Sequence, residues 1–241
     1  MSFFKDKVVW ITGASSGIGE ALALEFAKQG ARLVISARRE DELKRVAALT
    51  KLPDLDLMVL PFDLKDTSKA TALTANVINK FGRIDILVNN GGMSQRAEME
   101  KTSIEIDRDL MEVNYFSAVN LTRAVLPYMK RQKSGHVIVI SSVAGKFGFY
   151  LRSGYSAAKH ALHGFFDSFR LETEKDGIKT LIVCPGKIKT NISLNAVTDK
   201  GAHGKMDPSH ENAMSAEECA TIILKAIQNT AEEISVAGKE L

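Results

Sequence analysis

The amino-acid sequence predicts an α/β protein with a doubly wound, parallel, seven-stranded sheet and helices on both faces. One observation is a series of short apolar runs rich in Val, Ile and Leu, which is typical of strands buried on both faces. The other is that longer amphipathic segments separate these runs, and this alternation favours a parallel sheet. Right-handed crossovers then place helices on both sides of it. No linker or composition shift divides the 241 residues, so we expect one domain over 1–241.

Each strand and helix is predicted from its own pattern. The strands share unbroken β-branched and aliphatic residues, and they are Lys7–Thr12, Ala31–Ala37, Leu57–Phe62, Ile84–Val88, His136–Ser141, Lys179–Cys184 and Glu233–Val236. The helices repeat apolar residues three or four positions apart, and they are Ile18–Gln29, Glu40–Leu49, Thr67–Phe81, Ser103–Lys130, Gly154–Lys175 and Ala216–Asn229.

The segment Thr190–Ser215 follows neither period. A loop of this length inside a compact domain is usually functional or disordered. It comes directly after a predicted strand, where ligands of open α/β sheets bind. We therefore expect a lid that covers the substrate, with a mobile surface loop as the alternative.

Composition and charge exclude several classes of protein. The 32 basic and 29 acidic side chains give a net charge of only +3, whereas nucleic-acid-binding domains gather basic residues on one stripe. Two cysteines, Cys184 and Cys219, are too few for a disulfide framework and fit a reducing compartment. No apolar run approaches the ~18 residues that a membrane span needs. We therefore expect a cytoplasmic protein that spans no membrane and binds no nucleic acid.

A glycine-rich turn links the first predicted strand to the first predicted helix, with the sequence Gly13-Ala14-Ser15-Ser16-Gly17-Ile18-Gly19. Gly13 lets the chain turn off the strand, Gly17 lets the backbone approach a pyrophosphate, and Gly19 lets the helix pack closely. The helix N-terminus offers N–H groups and a positive dipole to phosphates. The spacing is GxxxGxG rather than GxGxxG, but its place between strand and helix favours a Rossmann-type dinucleotide site over a simple tight turn.

The end of the second predicted strand indicates which dinucleotide is bound. NAD sites carry an acidic residue there for the ribose 2′-hydroxyl. This chain has Ser36-Ala37-Arg38-Arg39, and its acids come only at Glu40 and Asp41. A guanidinium is a bidentate partner for phosphate, so Arg38, with Arg39 or Ser15, favours the 2′-phosphate of NADP over NAD. Solvated loop arginines are the alternative.

A possible catalytic set follows from residue spacing. Tyr155 and Lys159 are four residues apart on a predicted helix, so they share a face. A nearby ammonium lowers the pKa of a phenol, which brings proton exchange within reach of neutral pH. Ser142 follows a strand and could bond a substrate oxygen, while Asn114 could anchor a water beside Lys159. Without the phosphate turn, the Tyr–Lys pair would more simply be a packed helix face.

These motifs, in this order, resemble the short-chain dehydrogenase/reductase (SDR) family over essentially the whole chain. The stretch from Asn89 to Arg96 is also similar to a branch called dehydrogenase/reductase family member seven, with Gly91 where the family usually has alanine. The motifs that carry the resemblance are Thr12-Gly13-x-x-x-Gly17-x-Gly19, Asp63, Asn89-Asn90-Gly91-Gly92, Asn114, Ser142 with Tyr155 and Lys159, and Pro185-Gly186 followed by Thr190.

The resemblance implies a role for each matched residue. Asp63 would contact adenine, Asn90 would hold the central strand and the adenosine side, and Ile188 and Thr190 would meet the nicotinamide carboxamide. The residues expected to bind the cofactor are Gly13, Ser15, Ser16, Gly17, Ile18, Gly19, Arg38, Arg39, Asp63, Leu64, Asn90, Gly91, Tyr155, Lys159, Pro185, Gly186, Ile188 and Thr190. Asn114, Ser142, Tyr155 and Lys159 would be catalytic.

The implied function is NADP(H)-dependent hydride transfer between the nicotinamide and a carbonyl or secondary alcohol, with Tyr155 as general acid/base. The alternatives are an NAD-dependent alcohol dehydrogenase of the same fold and a non-catalytic dinucleotide-binding sensor. Family members pair their long helices, so Ser103–Lys130 and Gly154–Lys175 predict a homodimer or homotetramer.

The substrate is the least specified part of the prediction. Apolar residues flanking the catalytic segments could line its pocket or belong to ordinary core, and they are Met93, Val143, Phe147, Phe149, Tyr150 and Leu151. His203 and His210 lack metal-ligand spacing, so we expect no metal.

Overall fold

The computed structural model describes residues 2–198 and 213–237 of the chain. Its seven strands form one parallel sheet in the order β3-β2-β1-β4-β5-β6-β7, as the alternating pattern predicts. They are β1 (Val8–Thr12), β2 (Arg32–Ser36), β3 (Leu57–Val59), β4 (Ile86–Asn89), β5 (Gly135–Ile140), β6 (Ile178–Pro185) and β7 (Glu233–Val236).

Helices cover both faces of this sheet. In the described part of the chain they are α1 (Gly17–Lys28), α2 (Glu40–Thr50), α3 (Ala70–Phe81), α4 (Ile104–Met111), α5 (Ser117–Gln132), α6 (Ser153–Thr173) and α7 (Ala216–Gln228). One layer contains α1, α2 and α7, and the opposite layer contains α3, α5 and α6. Alternate residues of each strand therefore point into two separate cores, which is why the strands are apolar without a polar face.

Two predicted elements differ in the structure. The strand predicted over Leu57–Phe62 ends at Val59, although Leu60 and Phe62 still donate their N–H groups to the Ile35 and Ala37 carbonyl oxygens. The single helix predicted over Ser103–Lys130 is divided by a π-helical turn, Glu112–Phe116, between α4 and α5. There the Asn114 side chain donates to the carbonyl oxygen of Leu110 at 2.9 Å, which is the carbonyl that an α-helix would pair with the Asn114 N–H.

The reversal of strand order at β1 and β4 locates the cleft. β1 is followed by a connection toward β2 on one side, and β4 by one toward β5 on the other. Connections that leave in opposite directions open a crevice at the carboxyl ends of the strands, where doubly wound sheets bind ligands. The predicted phosphate turn after β1 and the predicted catalytic residues after β5 both lie at this edge.

Candidate active site

The turn after β1 has the backbone that its glycines allow. Gly13 and Gly17 have φ angles of 65° and 59°, the left-handed region that glycine adopts at little cost. A Cβ on Gly19 would lie 2.3 Å from the carbonyl oxygen of Gly13, so the first turn of α1 packs directly on the loop. Ser16 precedes the helix without a side-chain cap, and Ser16 and Gly17 line a cleft. The helix N-terminus, whose first N–H groups lack intrahelical partners, is thus available to an anion.

Asn90 connects this turn to the end of β4. Its Nδ2 donates to the carbonyl oxygens of Thr12 at 2.8 Å and Gly13 at 3.2 Å. In return, the Thr12 hydroxyl oxygen accepts the backbone N–H groups of Asn90 and Gly91, both at 3.0 Å. A Cβ on Gly91 would lie 2.3 Å from Cδ1 of Leu64. These contacts hold the loops after β1, β3 and β4 in one fixed arrangement.

The segment after β6 covers the phosphate turn. Pro185 is the last residue of the strand, and Gly186 donates its N–H to Val236 at 2.8 Å. Ile188 is buried. A Cβ on Gly17 would lie 3.0 Å from the methyl carbon of Thr190, so Thr190 lies against the turn. The lid predicted over Thr190–Ser215 falls for the most part outside the described residues, which resume at Ala213.

The loops after β2 and β3 carry the other predicted cofactor residues. Arg38 and Arg39 are exposed, and Nη2 of Arg39 donates to the Ser15 hydroxyl at 3.4 Å. Glu40 and Asp41 lie in the first turn of α2, as predicted, and so do not end the strand. Asp63 accepts the N–H of Lys65 at 3.0 Å. Ile18 lies in the first turn of α1.

Tyr155, Ser142 and Lys159 lie together beyond the end of β5. Tyr155 and Lys159 are 7% and 4% exposed and one turn apart on α6. The Ser142 hydroxyl is hydrogen-bonded to Tyr155 and accepts the Ala144 N–H at 3.1 Å. Nζ of Lys159 lies 5.7 Å from the centre of the Tyr155 ring and donates to the Ile140 carbonyl oxygen at 2.9 Å.

The expected lowering of the Tyr155 pKa by Lys159 is wrong for this state of the protein. Burial raises the pKa of Tyr155, and the Ser142 hydrogen bond and the charge of Arg152 oppose that rise only in part. The Lys159 ammonium is bonded to Ile140 instead of to the phenol. Burial also lowers the pKa of Lys159 to about 8. The phenol is therefore held protonated, and the lysine can gain or lose a proton near neutral pH.

Asn114 fixes the loop after β4. From the π-helical turn its Nδ2 donates to the Met93 carbonyl oxygen at 3.0 Å, and its Oδ1 accepts the Met93 N–H at 3.1 Å. A Cβ on Gly92 would lie 2.6 Å from that Oδ1 and 3.7 Å from Nζ of Lys159. Asn114 therefore lies beside Lys159, and its amide oxygen keeps one lone pair for a further donor.

Sequence reasoning missed two side chains that hold this site. Gln95 accepts backbone N–H groups of Gly154 and Tyr155 through its amide oxygen. Arg45 forms a two-point ion pair with Glu20, with both distances 2.8 Å. The sequence carried no signal for the first, because Ser153 precedes the predicted helix Gly154–Lys175 and is an ordinary capping residue.

Three of the six apolar substrate candidates lie on the surface, and Met93, Val143 and Leu151 are half-buried. Phe147, Phe149 and Tyr150 are exposed, and they occupy the loop between Ser142 and Tyr155. Leu151 adopts a φ of 64°. This loop therefore borders the site. His203 and His210 lie outside the described residues.

A polar cluster that the sequence did not indicate lies behind Lys159. Among the described residues, His163, Cys184 and Glu233 place atoms of the metal-ligand type within 4.8 Å of one another. Glu233 lies 3.5 Å from Nδ1 of His163 and Cys184 lies 3.8 Å from Nε2. These are opposite nitrogens of one ring, and Lys146 is paired with Glu233 at 2.5 Å. The cluster is thus a hydrogen-bonded and ionic network without the convergent geometry of a metal site.

None of the helices in the described part of the chain is both long enough and apolar enough to cross a bilayer.

Comparison with known proteins identifies the family. Residues 7–201 match the sequence pattern of the short chain dehydrogenase family. The chain is 47% identical to a dehydrogenase/reductase SDR family protein 7-like of Anopheles gambiae, covering 96% of this chain and 75% of that protein. It is 43% identical to human dehydrogenase/reductase SDR family member 7, with 96% and 70% covered.

A solved structure agrees with this similarity. The crystal structure of a short-chain dehydrogenase from Streptomyces avermitilis superposes with a TM-score of 0.84 at 31% identity, covering 96% of this chain and 89% of that one. The resemblance predicted from the motifs is thus confirmed over most of the sequence. The chain belongs to the short-chain dehydrogenase/reductase family of oxidoreductases, built on a dinucleotide-binding fold.

Proposed function

We propose that the protein is an NADP(H)-dependent oxidoreductase that interconverts a carbonyl compound and a secondary alcohol, with Tyr155 as the general acid/base. The observation that carries this proposal is that the buried Tyr155 and Lys159 lie together with the half-buried Ser142 at the same sheet edge as the phosphate turn. A protein that only sensed the dinucleotide would have no use for a protonated phenol bonded to a serine hydroxyl.

The residues present fit a dinucleotide. At positions 13, 17 and 91 a Cβ would meet neighbouring protein atoms at 2.7, 3.0 and 2.3 Å, so glycine is needed there for the loops to pack together. Ser16 and Gly17, at the N-terminus of α1, line an open cleft beside them, where a pyrophosphate could reach the free N–H groups. Arg38 and Arg39 follow β2 where an NAD site would carry a carboxylate. Two guanidinium groups favour the 2′-phosphate of NADP(H). Asp63 and Leu64 would meet the adenine, and Ile188 and Thr190 the nicotinamide carboxamide.

Bound NADPH would supply the hydride. Tyr155 donates its proton to the substrate oxygen as negative charge develops there, and its raised pKa keeps that proton available. The Ser142 hydroxyl stabilises the same oxygen, so it contributes most at the transition state. Lys159 would hold the ribose hydroxyls next to the nicotinamide. Its ammonium, with a pKa of about 8, stabilises the phenolate that remains and then supplies the proton that restores the phenol. The free lone pair of Asn114 holds a water that returns a proton to Lys159.

The test compares Tyr155→Phe with Tyr128→Phe. Tyr128 is a control because its ring stacks beneath the Arg131 guanidinium on the outer face of α5, far from the site. Each protein is assayed for NADPH consumption against ketones, aldehydes, quinones and steroids. We expect Y155F to bind NADPH as wild type does but to lose about 10²–10⁴-fold in kcat, the usual contribution of a general acid, whereas Y128F stays active. Near wild-type reduction by Y155F would refute the catalytic assignment.

The same preparation tests the cofactor. Titration with NADPH and NADH should give tighter NADPH binding that weakens in Arg38→Ala and Arg39→Ala, while NADH binding stays constant. Equal or tighter NADH binding by the wild type would favour the NAD-dependent alternative.

We also propose that the protein works as a homodimer or homotetramer in the cytoplasm. Phe116, beside the start of α5, is 45% exposed, and Phe165 of α6 contacts Tyr115 with ring centres 6.0 Å apart. These aromatic groups offer an apolar face to a second copy. Light scattering that gave a monomer at micromolar concentration would contradict this.

A further inference from the structure

The amide of Gln95 caps the helix that carries the catalytic tyrosine. Gln95 is fully buried, in the loop that follows β4. Its Oε1 accepts the backbone N–H of Gly154 at 2.9 Å and that of Tyr155 at 3.2 Å. Its Nε2 donates to the Thr102 hydroxyl at 3.0 Å. One side chain therefore satisfies two N–H groups in the first turn of α6, and one of them belongs to Tyr155 itself.

Helix α6 depends on this remote contact. A helix N-terminus leaves its first N–H groups without intrahelical partners, and a side chain of the preceding residue usually accepts them. The preceding residue is Arg152, which forms no such cap. The Arg152 guanidinium binds the Ser94 hydroxyl and the Gln95 carbonyl oxygen instead. The two loops therefore hold each other through both side chains.

The Gln95 backbone also contacts the segment that follows Thr190. Gln95 forms a parallel bridge with Val197. On either side of it, Val197 donates its N–H to the Ser94 carbonyl oxygen and accepts the Arg96 N–H, both at 2.8 Å. The Gln95 backbone is thus bonded to Val197, within the described first part of the predicted lid, while its side chain is bonded to the Tyr155 N–H.

We propose that Gln95 is a positioning residue for proton transfer, which sets the place of the Tyr155 phenol and links it to the segment 190–198. The inference rests on the proposed function, since it requires Tyr155 to be the acid. Gln95 lies on the tyrosine side of the site, and Asn90 and Thr12 hold the phosphate turn without it. Its loss should consequently affect kcat and the pH dependence more than cofactor binding.

Two substitutions of Gln95 distinguish the effect of the position of Tyr155 from the effect of a charge near its phenol. Gln95→Leu keeps the volume but leaves two N–H groups unsatisfied, so the first turn of α6 loses its fixed position. We expect kcat to fall at least tenfold or so, because small misplacements of reacting groups are costly, while the Kd of NADPH changes less than about twofold. Gln95→Glu restores an acceptor, so kcat should recover in part. Its negative charge should raise the pKa of the phenol, moving the kcat–pH profile to higher pH.

Gln132→Leu is the matched control. Gln132 also binds backbone through both ends of its amide, accepting the Ile84 N–H at 3.2 Å and donating to the Ile84 carbonyl oxygen at 2.9 Å. It lies at the end of α5, at the opposite edge of the sheet from the site. We expect Q132L to lower the melting temperature as Q95L does and to leave kcat and its pH profile unchanged.

Amide hydrogen exchange in residues 153–160 gives a readout without turnover. The Tyr155 N–H should exchange at least about tenfold faster in Q95L than in wild type or Q132L, since its acceptor is gone. Slow exchange in Q95L, or a kcat and pH profile like those of Q132L, would overturn the inference. If Q95L does not fold, Q95E provides the test instead. A kcat–pH profile of Q95E that matches the wild type would also overturn the inference. Absence of wild-type turnover on every substrate would refute the proposed function instead, and exchange would still show whether Gln95 holds Tyr155.

Discussion

Replacing Lys159 by methionine should make the protein more stable and inactive. Lys159 is 4% exposed, and the one hydrogen bond of its Nζ described in the structure goes to the Ile140 carbonyl oxygen. Methionine has a similar length and no charge, so it can fill the same space. The buried ammonium thus lowers the stability of the folded state, and its role is to bind the cofactor and donate a proton.

The size of this cost follows from the pKa. Burial lowers the pKa of Lys159 from 10.5 to about 8, and 1.36 kcal/mol per pKa unit gives a penalty of about 3 kcal/mol for the charged form. In K159M the Ile140 carbonyl oxygen loses its donor, which lowers the stability by roughly 1 kcal/mol. The free energy of unfolding of K159M should therefore exceed that of the wild type by about 2 kcal/mol at pH 7. For a chain of this size, this corresponds to a melting temperature roughly 4–8 °C higher.

The pH dependence distinguishes this explanation from better packing. Below pH 8 both the folded and the unfolded states hold the proton, and the full penalty is present. Between about pH 8 and 10.5 only the unfolded state holds it, so the stability of the wild type rises with pH. The advantage of K159M measured by urea unfolding should hence shrink from pH 7 to pH 10. Lys175→Met, at an exposed position after α6, should show no such trend. A destabilised K159M, or an advantage independent of pH, would refute the reasoning.

Three further substitutions test other parts of the structure. Gly19→Ala places a Cβ 2.3 Å from the Gly13 carbonyl oxygen, so we expect a loss of about 1–3 kcal/mol from overpacking and weaker NADPH binding by titration. Gly164→Ala, whose Cβ would meet no neighbouring side chain or other segment within 4 Å, should instead stabilise α6 by up to about 1 kcal/mol. Burial lowers the pKa of His136 to about 4, so below pH 6.5 the unfolded state binds a proton that the folded state does not. Stability should fall by up to about 3 kcal/mol from pH 6.5 to 4, and His136→Gln should remove that fall in urea unfolding.

The sheet and its cleft could be predicted from the sequence because their signals are local. Each parallel strand is an apolar run of its own, and the glycines at 13, 17 and 19 need no distant partner to be recognised. The predicted strand Glu233–Val236 coincides with β7. Spacing alone placed Tyr155 and Lys159 on one face of α6.

The contacts that support the site could not be predicted, because they join residues far apart in the chain. The cap from Gln95 to Tyr155 crosses 60 positions, and no local pattern marks a glutamine as a cap. The pKa of Lys159 depends on burial beneath β5 and β6, and sequence spacing says nothing of desolvation. The π-helical turn at Asn114 replaces one backbone bond by a side-chain bond, and no local pattern of residue types marks that exchange.

The hydrogen bonds between Asn90 and Thr12 have a consequence for folding during biosynthesis. It joins residues 78 positions apart, and β1 acquires β4 as its second neighbour through the same long-range pairing. During translation, the nascent chain therefore carries the phosphate turn long before anything can hold it in shape. Non-local parallel pairing is slow, and the unpaired edge of β1 invites association while it waits. We expect that a ribosome-bound fragment ending before β4 binds no dinucleotide and is a substrate for chaperones.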